Sequence, residues 1–257
     1  MQKYNIIYKY TIQTQILCII LINFVLLIAV NNIVGHIYYT VMKHNQELFK
    51  AIQQNDLDTL KKMEKKSFFC GKRIDKLNAK NQDGLSPLAY ALDNDKDDIA
   101  IWLIERGAKV KTKIRGEHLL SCAIASNKIE IAGLLIDRGA DMNVRRISDY
   151  SLQFEPVLVY AIRNKYYDMA KMMIVKGANV NVCDNEGYTP LLRAVINNNV
   201  EIATLLVYAG ADINATNFIE PNTPFLFDGY SKKTPLMIAK MCNYQEIIDL
   251  LTSKGAK

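Results

Sequence analysis

Residues able to do chemistry are few in this chain, and they are scattered. The histidines are His36, His44 and His118, and the cysteines are Cys18, Cys70, Cys122, Cys183 and Cys242. No two cysteines share the Cys-x-x-Cys spacing that holds zinc or a redox disulfide, so they read as single, mostly structural thiols. His118 and Cys122 lie one helical turn apart and could share a metal, yet two ligands do not close a site. The glycines fall at turns and helix ends, without the pattern that cradles a phosphate. Acid, base and nucleophile never converge. We therefore assign no catalytic residue, metal site or cofactor, and expect a chain that is not an enzyme.

What the sequence offers instead is side chains suited to recognition. One stretch carries Arg145, Arg146, Tyr150 and Phe154; a second, Asn217 to Lys233, carries Phe218, Phe225, Phe227, Tyr230, Lys232 and Lys233. Aromatic and arginine side chains dominate interface hot spots because they bury much area at little cost in ordering. For Phe225 and Phe227 the competing reading is a fold back over the last helix pair, since exposed apolar patches are uncommon. Tyr188, at a regular turn, is a further surface candidate. The formal charge of +6 is spread among acidic residues, and no block resembles a nucleic-acid-binding arm, so no nucleic acid is expected.

The elements that must position these residues announce themselves by repetition. Ser86-Pro87-Leu88-Ala89-Tyr90-Ala91, Thr189-Pro190-Leu191-Leu192-Arg193-Ala194 and Thr234-Pro235-Leu236-Met237-Ile238-Ala239 align. Diverged copies begin at His118 and Pro156 and end at Ala123 and Ala161. From the last Ala of each copy to a later Gly-Ala the step is constant: 91 to 107, 123 to 139, 161 to 177, 194 to 210 and 239 to 255. A Ser or Thr hydroxyl caps the free amides at a helix start, and Pro fits the first helical position because its missing N–H has no partner there. Four residues past each Ala the chain must leave the first helix, and there stand Asn55, Asp95, Asn127, Lys165, Asn198 and Asn243. An apolar stripe at helical spacing follows, as in Ile99, Trp102 and Leu103 or Met169, Met172 and Met173. The methionines and the one tryptophan read as core.

These motifs resemble the ankyrin-repeat family, whose unit of about 33 residues carries Thr-Pro-Leu-His-x-Ala and forms a turn and two antiparallel helices. The resemblance covers residues 46–257 and implies an all-α solenoid of stacked helix-turn-helix units with hairpin-like turns. Repeats are expected near 46–80, 81–113, 114–145, 146–183, 184–216 and 217–257, with Ala51 holding the Ala position of a degenerate first unit. The resemblance also implies a protein partner, held on variable surface over a constant core. This chain departs from the pattern at the His, replaced by Ala89, Ser121, Val159, Leu192 and Met237, so apolar packing must carry more of the stack. Two turns are lengthened: the step from turn Asn to motif Pro position is 78 to 87 and 181 to 190 in regular copies, but 143 to 157 and 214 to 235 elsewhere. Insertions on one edge of a repeat array often mark its binding face, which makes Arg145, Arg146, Tyr150, Tyr188, Phe225, Phe227, Tyr230, Lys232 and Lys233 the expected partner-binding residues.

Ahead of the repeats, Thr11 to Gly35 holds no charged side chain. A bilayer is crossed by about 20 largely apolar residues, a length this stretch reaches. We expect an N-terminal tail at 1–10, a transmembrane or signal-anchor segment at 11–35, a juxtamembrane linker at 36–45 and the repeat domain at 46–257. Lys3 and Lys9 argue for an inside N-terminus and an outside repeat domain. The alternative is a cleaved secretory signal that leaves a secreted or periplasmic soluble domain, although no small-x-small cleavage pattern stands near Ala29. The repeat domain is expected to be monomeric.

Overall fold

A computed structural model describes residues 2–67, 77–147, 154–217 and 232–257; for residues 2–25 it describes the backbone alone. The chain divides into two compact units, Met1–Lys50 and Ala51–Lys257. The first belongs to one helix, α1, Gln2–Gln53. Residues 36–45, expected as a juxtamembrane linker, are helical, since between Gln2 and Gln53 there is no proline and one glycine, Gly35. Leu26, Leu27, Val30, Ile33 and Val34 are exposed along it. Among the described residues no helix is long and apolar enough to cross a membrane. Side chains of residues 1–25, which hold much of the charge-free segment, lie outside those described.

The second unit is a succession of short helix pairs. After α2 (Leu57–Ser67) come α3 (Pro87–Asp93) and α4 (Asp97–Glu105), α5 (Leu119–Ala125) and α6 (Ile129–Asp137), and α7 (Val157–Arg163) and α8 (Tyr167–Val175). Then follow α9 (Pro190–Ile196) and α10 (Val200–Tyr208), and α11 (Pro235–Met241) and α12 (Gln245–Ser253). First helices α3, α5, α7, α9 and α11 pack in one row, and second helices α4, α6, α8, α10 and α12 in another. The expected caps are present: the hydroxyls of Ser86, Thr189 and Thr234 accept the amides of Ala89, Leu192 and Met237 at 3.2, 3.2 and 3.3 Å. At the diverged copies His118 and Pro156 hold the cap position with no side-chain bond.

Each first helix ends in the same left-handed turn. Asn55, Asp95, Asn127, Lys165, Asn198 and Asn243 have φ of 56, 54, 52, 61, 50 and 57°. That residue lets the next amide reach back to the motif alanine: Lys96 to Ala91, Lys128 to Ala123, Tyr166 to Ala161, Asn199 to Ala194 and Tyr244 to Ala239, all at 2.8–2.9 Å. This pairing of a left-handed residue with a long backward bond satisfies carbonyls that a helix end otherwise leaves free. Alanine is needed at the motif position because the neighbouring helix lies against it; Ala91, Ala123, Ala161, Ala194 and Ala239 are all buried. So are Ala100, Ala132, Ala170 and Ala203 on the second helices. In the apolar stripe, Ile99, Ile131, Met169, Ile202 and Ile247 are buried, whereas Leu134, Met172, Leu205 and Leu250 are half-buried.

Between pairs, the turns are stitched by asparagine. The side-chain oxygens of Asn78, Asn143, Asn181 and Asn214 accept the amides of Lys109, Asn179, Asp212 and Lys257 from the following repeat at 2.9, 3.1, 2.8 and 2.9 Å. Ion pairs join neighbouring repeats as well: Lys128 reaches Asp95 and Asp97, each at 2.6 Å, and Lys171 reaches Glu201 at 2.7 Å. The all-α expectation needs one refinement, because two turns are antiparallel ribbons: β1 (Lys113–Ile114) with β2 (Glu117–His118), and β3 (Arg145–Ile147) with β4 (Phe154–Pro156). Arg115 and Gly116 link the first two strands with φ of 49 and 90°, the geometry that two-residue hairpins favour.

Lys165 is the one left-handed residue of the six turns that is neither Asn nor Asp, and it is exposed. Short polar side chains tolerate that backbone better than a long aliphatic stem. Lys165→Asn is expected to raise the unfolding free energy by about 0.5–1 kcal/mol, measured by urea denaturation.

Candidate protein-binding face

The lengthened turn between α6 and α7 forms the hairpin β3–β4, in which Arg146 stands opposite Glu155. Arg146 is 8% exposed and its guanidinium lies 4.1 Å from the centre of the Tyr160 ring on α7. Glu155 is 4% exposed and accepts from Arg163, at the end of α7, at 2.8 Å. Burial pushes the Glu155 carboxyl above its ordinary value, more than Arg163 and the other arginines pull it back.

One repeat further the same ingredients recur. Asp184 accepts the Nε and Nη2 of Arg193 at 3.1 and 2.7 Å and the amides of Glu186 and Tyr188 at 3.0 and 2.9 Å. Arg193 also reaches Glu186 at 2.8 Å and lies 4.0 Å from the centre of the Tyr188 ring. The two assemblies consist of a buried carboxylate, an arginine and a tyrosine face. They hold the turn chain onto the first helices α7 and α9, close to the buried Val159 and Leu192 that stand where the family pattern has histidine.

The structure therefore sorts the expected partner-binding residues. Arg145 is exposed; its Nη2 donates to the Cys183 carbonyl of the next turn at 3.0 Å. Lys232 is exposed and Lys233 half-exposed. Two expectations are corrected. Arg146 is drawn inward by the Tyr160 ring instead of projecting from the tip. Tyr188 is 1% exposed, because the Asp184 side chain binds its amide and folds the turn back so that Arg193 covers the ring. Tyr150, Phe225, Phe227 and Tyr230 lie outside the described residues. Reading for insertions also passes over a regular turn: Lys109, Lys111, Lys113 and Arg115 are all exposed, while Val110 and Ile114 between them are buried. The alternation of cations with other residues over 109–115 was the available signal.

Among the described residues no group of three or more His, Cys, Asp or Glu could hold a metal ion. Cys122 has its thiol pushed up to about 11, first by burial and then by Glu117, which keeps it protonated at neutral pH.

The comparisons with known proteins agree with the fold. The family model described as Ankyrin repeats (3 copies) matches residues 48–146 and 149–217. The ankyrin repeat protein FPV031 of fowlpox virus (strain NVSL) is 32% identical over 176 residues, 66% of this chain and 48% of its own length. The chain thus spans about half of that relative. An ankyrin repeat domain from Acinetobacter baumannii AYE is similar in structure, with TM-score 0.58 and 27% identity over 82% of this chain and 98% of that one. The ankyrin domain of Bcl-3, of the IkappaB protein family, has TM-score 0.55 and 21% identity over 82% of this chain and 86% of its own, a likeness of fold alone.

Two measurements probe the buried assemblies. Among the described residues the buried Tyr188 hydroxyl has no hydrogen-bond partner, so Tyr188→Phe is expected to raise the unfolding free energy by about 1 kcal/mol; a loss of that size would show a partner beyond them. Glu155 has a folded-state pKa above its unfolded value, so between the two the native state binds more protons and stability falls as pH rises. The stability of the wild type minus that of Glu155→Gln should therefore decline from mildly acid to neutral pH, in paired denaturation curves. The repeated helix pairs, the recurrent turn chemistry and the match over more than half the residues lead to one assignment: the chain belongs to the ankyrin-repeat family.

Proposed function

We propose that this protein is a non-catalytic protein-binding module, tethered to a membrane, whose partner is held by turn tips and inserted hairpins of the repeat stack. One contrast carries the reading. Positions inside the stack are nearly the same in each repeat, with Ala91, Ala123, Ala161, Ala194 and Ala239 all buried. Exposed positions further along the turns differ from repeat to repeat: Lys113 and Arg115, then Arg145, then Cys183 and Asn185, then Thr216. A constant interior under a changing edge suits recognition of another protein, and such modules are distinguished by their surface and not by their fold.

The tether rests on the sequence, from the charge-free run Thr11 to Gly35. In the proposed arrangement the N-terminus is inside and the repeats outside, following Lys3 and Lys9. The expressed chain should sediment with membranes and resist alkaline carbonate extraction, and protease added to intact cells should cut the repeats. Full protection would reverse the orientation, and release into the soluble fraction would remove the tether.

For the binding face, the partner is first identified by crosslinking in cells and mass spectrometry. Alanine at Arg145, Tyr150, Tyr230, Lys232 and Lys233 together should then weaken its capture at least ten-fold while the melting curve stays in place. Unaltered capture would move the interface elsewhere, and loss of folding would make these residues structural.

A further inference from the structure

The charge on the turns is not evenly shared. In the turn that links α4 to α5, Lys109, Lys111, Lys113 and Arg115 are exposed, four cations within seven residues. Corresponding exposed positions elsewhere are Asp141, Asn143 and Arg145; Asn179, Asn181, Cys183 and Asn185; and Asp212, Asn214 and Thr216. Val110 and Ile114 are buried beneath the cations and fix which way the chain presents them. Arg115 sits at the tip of the tight β1–β2 hairpin, 81% exposed, and touches Asp93 at 3.1 Å, leaving most of its surface open.

Lys111 shows a second departure. It occupies the place of the stitching asparagines: Asn78, Asn143, Asn181 and Asn214 each accept an amide of the next repeat, and the matching amide for this turn is that of Asp141. A lysine has no acceptor to offer. This turn therefore forgoes an inter-repeat hydrogen bond and carries an exposed positive charge in its place. Positions that break a local rule of their own fold are where function is to be sought.

Resting on the reading of this chain as a protein-binding module, we propose that the strip Lys109, Lys111, Lys113 and Arg115 is the docking site for an acidic protein segment, a run of Asp and Glu. Lysines act as point charges that tolerate varied geometry, which suits a run of carboxylates better than one oriented group. Among the described residues the exposed large apolar side chains of the repeat unit, Ile129, Val175, Tyr208, Met237 and Met241, all lie on helices and none on this turn. A lipid-docking patch would place apolar side chains beside the cations, and a single-stranded nucleic-acid site would place aromatic rings there. Arg145 on the adjoining hairpin extends the positive edge, since β2 abuts β3.

The test uses the full chain in non-ionic detergent and a fluorescently labelled octa-glutamate peptide, followed by anisotropy. Saturable binding is expected, weakening at least ten-fold in the triple variant Lys109→Gln, Lys111→Gln, Lys113→Gln and again when salt is raised from low to moderate strength. The charge-matched control Lys61→Gln, Lys80→Gln, Lys240→Gln, at exposed sites elsewhere, should bind as the wild type does. Lys111→Asn separates binding from folding: it should weaken the peptide and raise the melting temperature by restoring the missing stitch. Binding that survives the triple variant overturns the proposal. So does tighter, strip-dependent binding of phosphatidylserine vesicles or duplex DNA. Neither result bears on the capture assay with the crosslinked partner, which tests the module reading independently and contains no peptide.

Discussion

The backward hydrogen bond from the turn to the motif alanine is the constraint on which the stack rests. It requires a residue in the left-handed region four positions after that alanine, and it closes the first helix so that the chain can return antiparallel after a turn of a few residues. Because both helices then carry small buried residues, such as Ala123 with Ala132 or Ala194 with Ala203, adjacent pairs can lie in close contact. A single pair has no interior of its own; its apolar face is covered only by its neighbours. The asparagine stitches and the Lys128 and Lys171 ion pairs add to this packing. Exposed ion pairs contribute roughly 0–1 kcal/mol each, so the apolar seam remains the larger part.

Polar residues under the turns play a different part. The Glu155–Arg163 pair, with Arg146 on the Tyr160 ring beside it, and the Arg193–Tyr188–Asp184 assembly place carboxylates where water is scarce, and each carboxylate is compensated by a guanidinium. Buried pairs of this kind are costly to break and contribute little beyond a well-packed apolar substitute, so their effect is to fix geometry more than to add stability. They pin the turn chain to α7 and α9 in the part of the array whose α7 start, Pro156, has no side-chain cap.

Much of the fold was legible in the sequence because its rules are local. Ser86, Thr189 and Thr234 cap the helices they precede, and all six residues read as turn-formers adopt positive φ. Local signals do not say which way a turn residue faces. Tyr188 and Arg146 have the composition of a binding tip, yet a carboxylate accepting the Tyr188 amide and a tyrosine ring attracting Arg146 draw both inside. These are contacts between residues apart in the sequence, and no periodicity encodes them. Helix α1 continues through residues 36–45 because helix propensity does not change where apolar residues give way to polar ones. The cations from Lys109 to Arg115 stand in a turn without an insertion, and only exposure reveals that they share one side.

The uniform turn has a consequence for how such a chain can change over generations. Since the junction inside every pair uses the same backbone geometry and the same small residues, a block copied from one left-handed turn to the next arrives with both of its contact surfaces already matched. Unequal crossover can therefore lengthen or shorten the array without a new interface having to arise, and each fresh copy begins with an edge at liberty to drift.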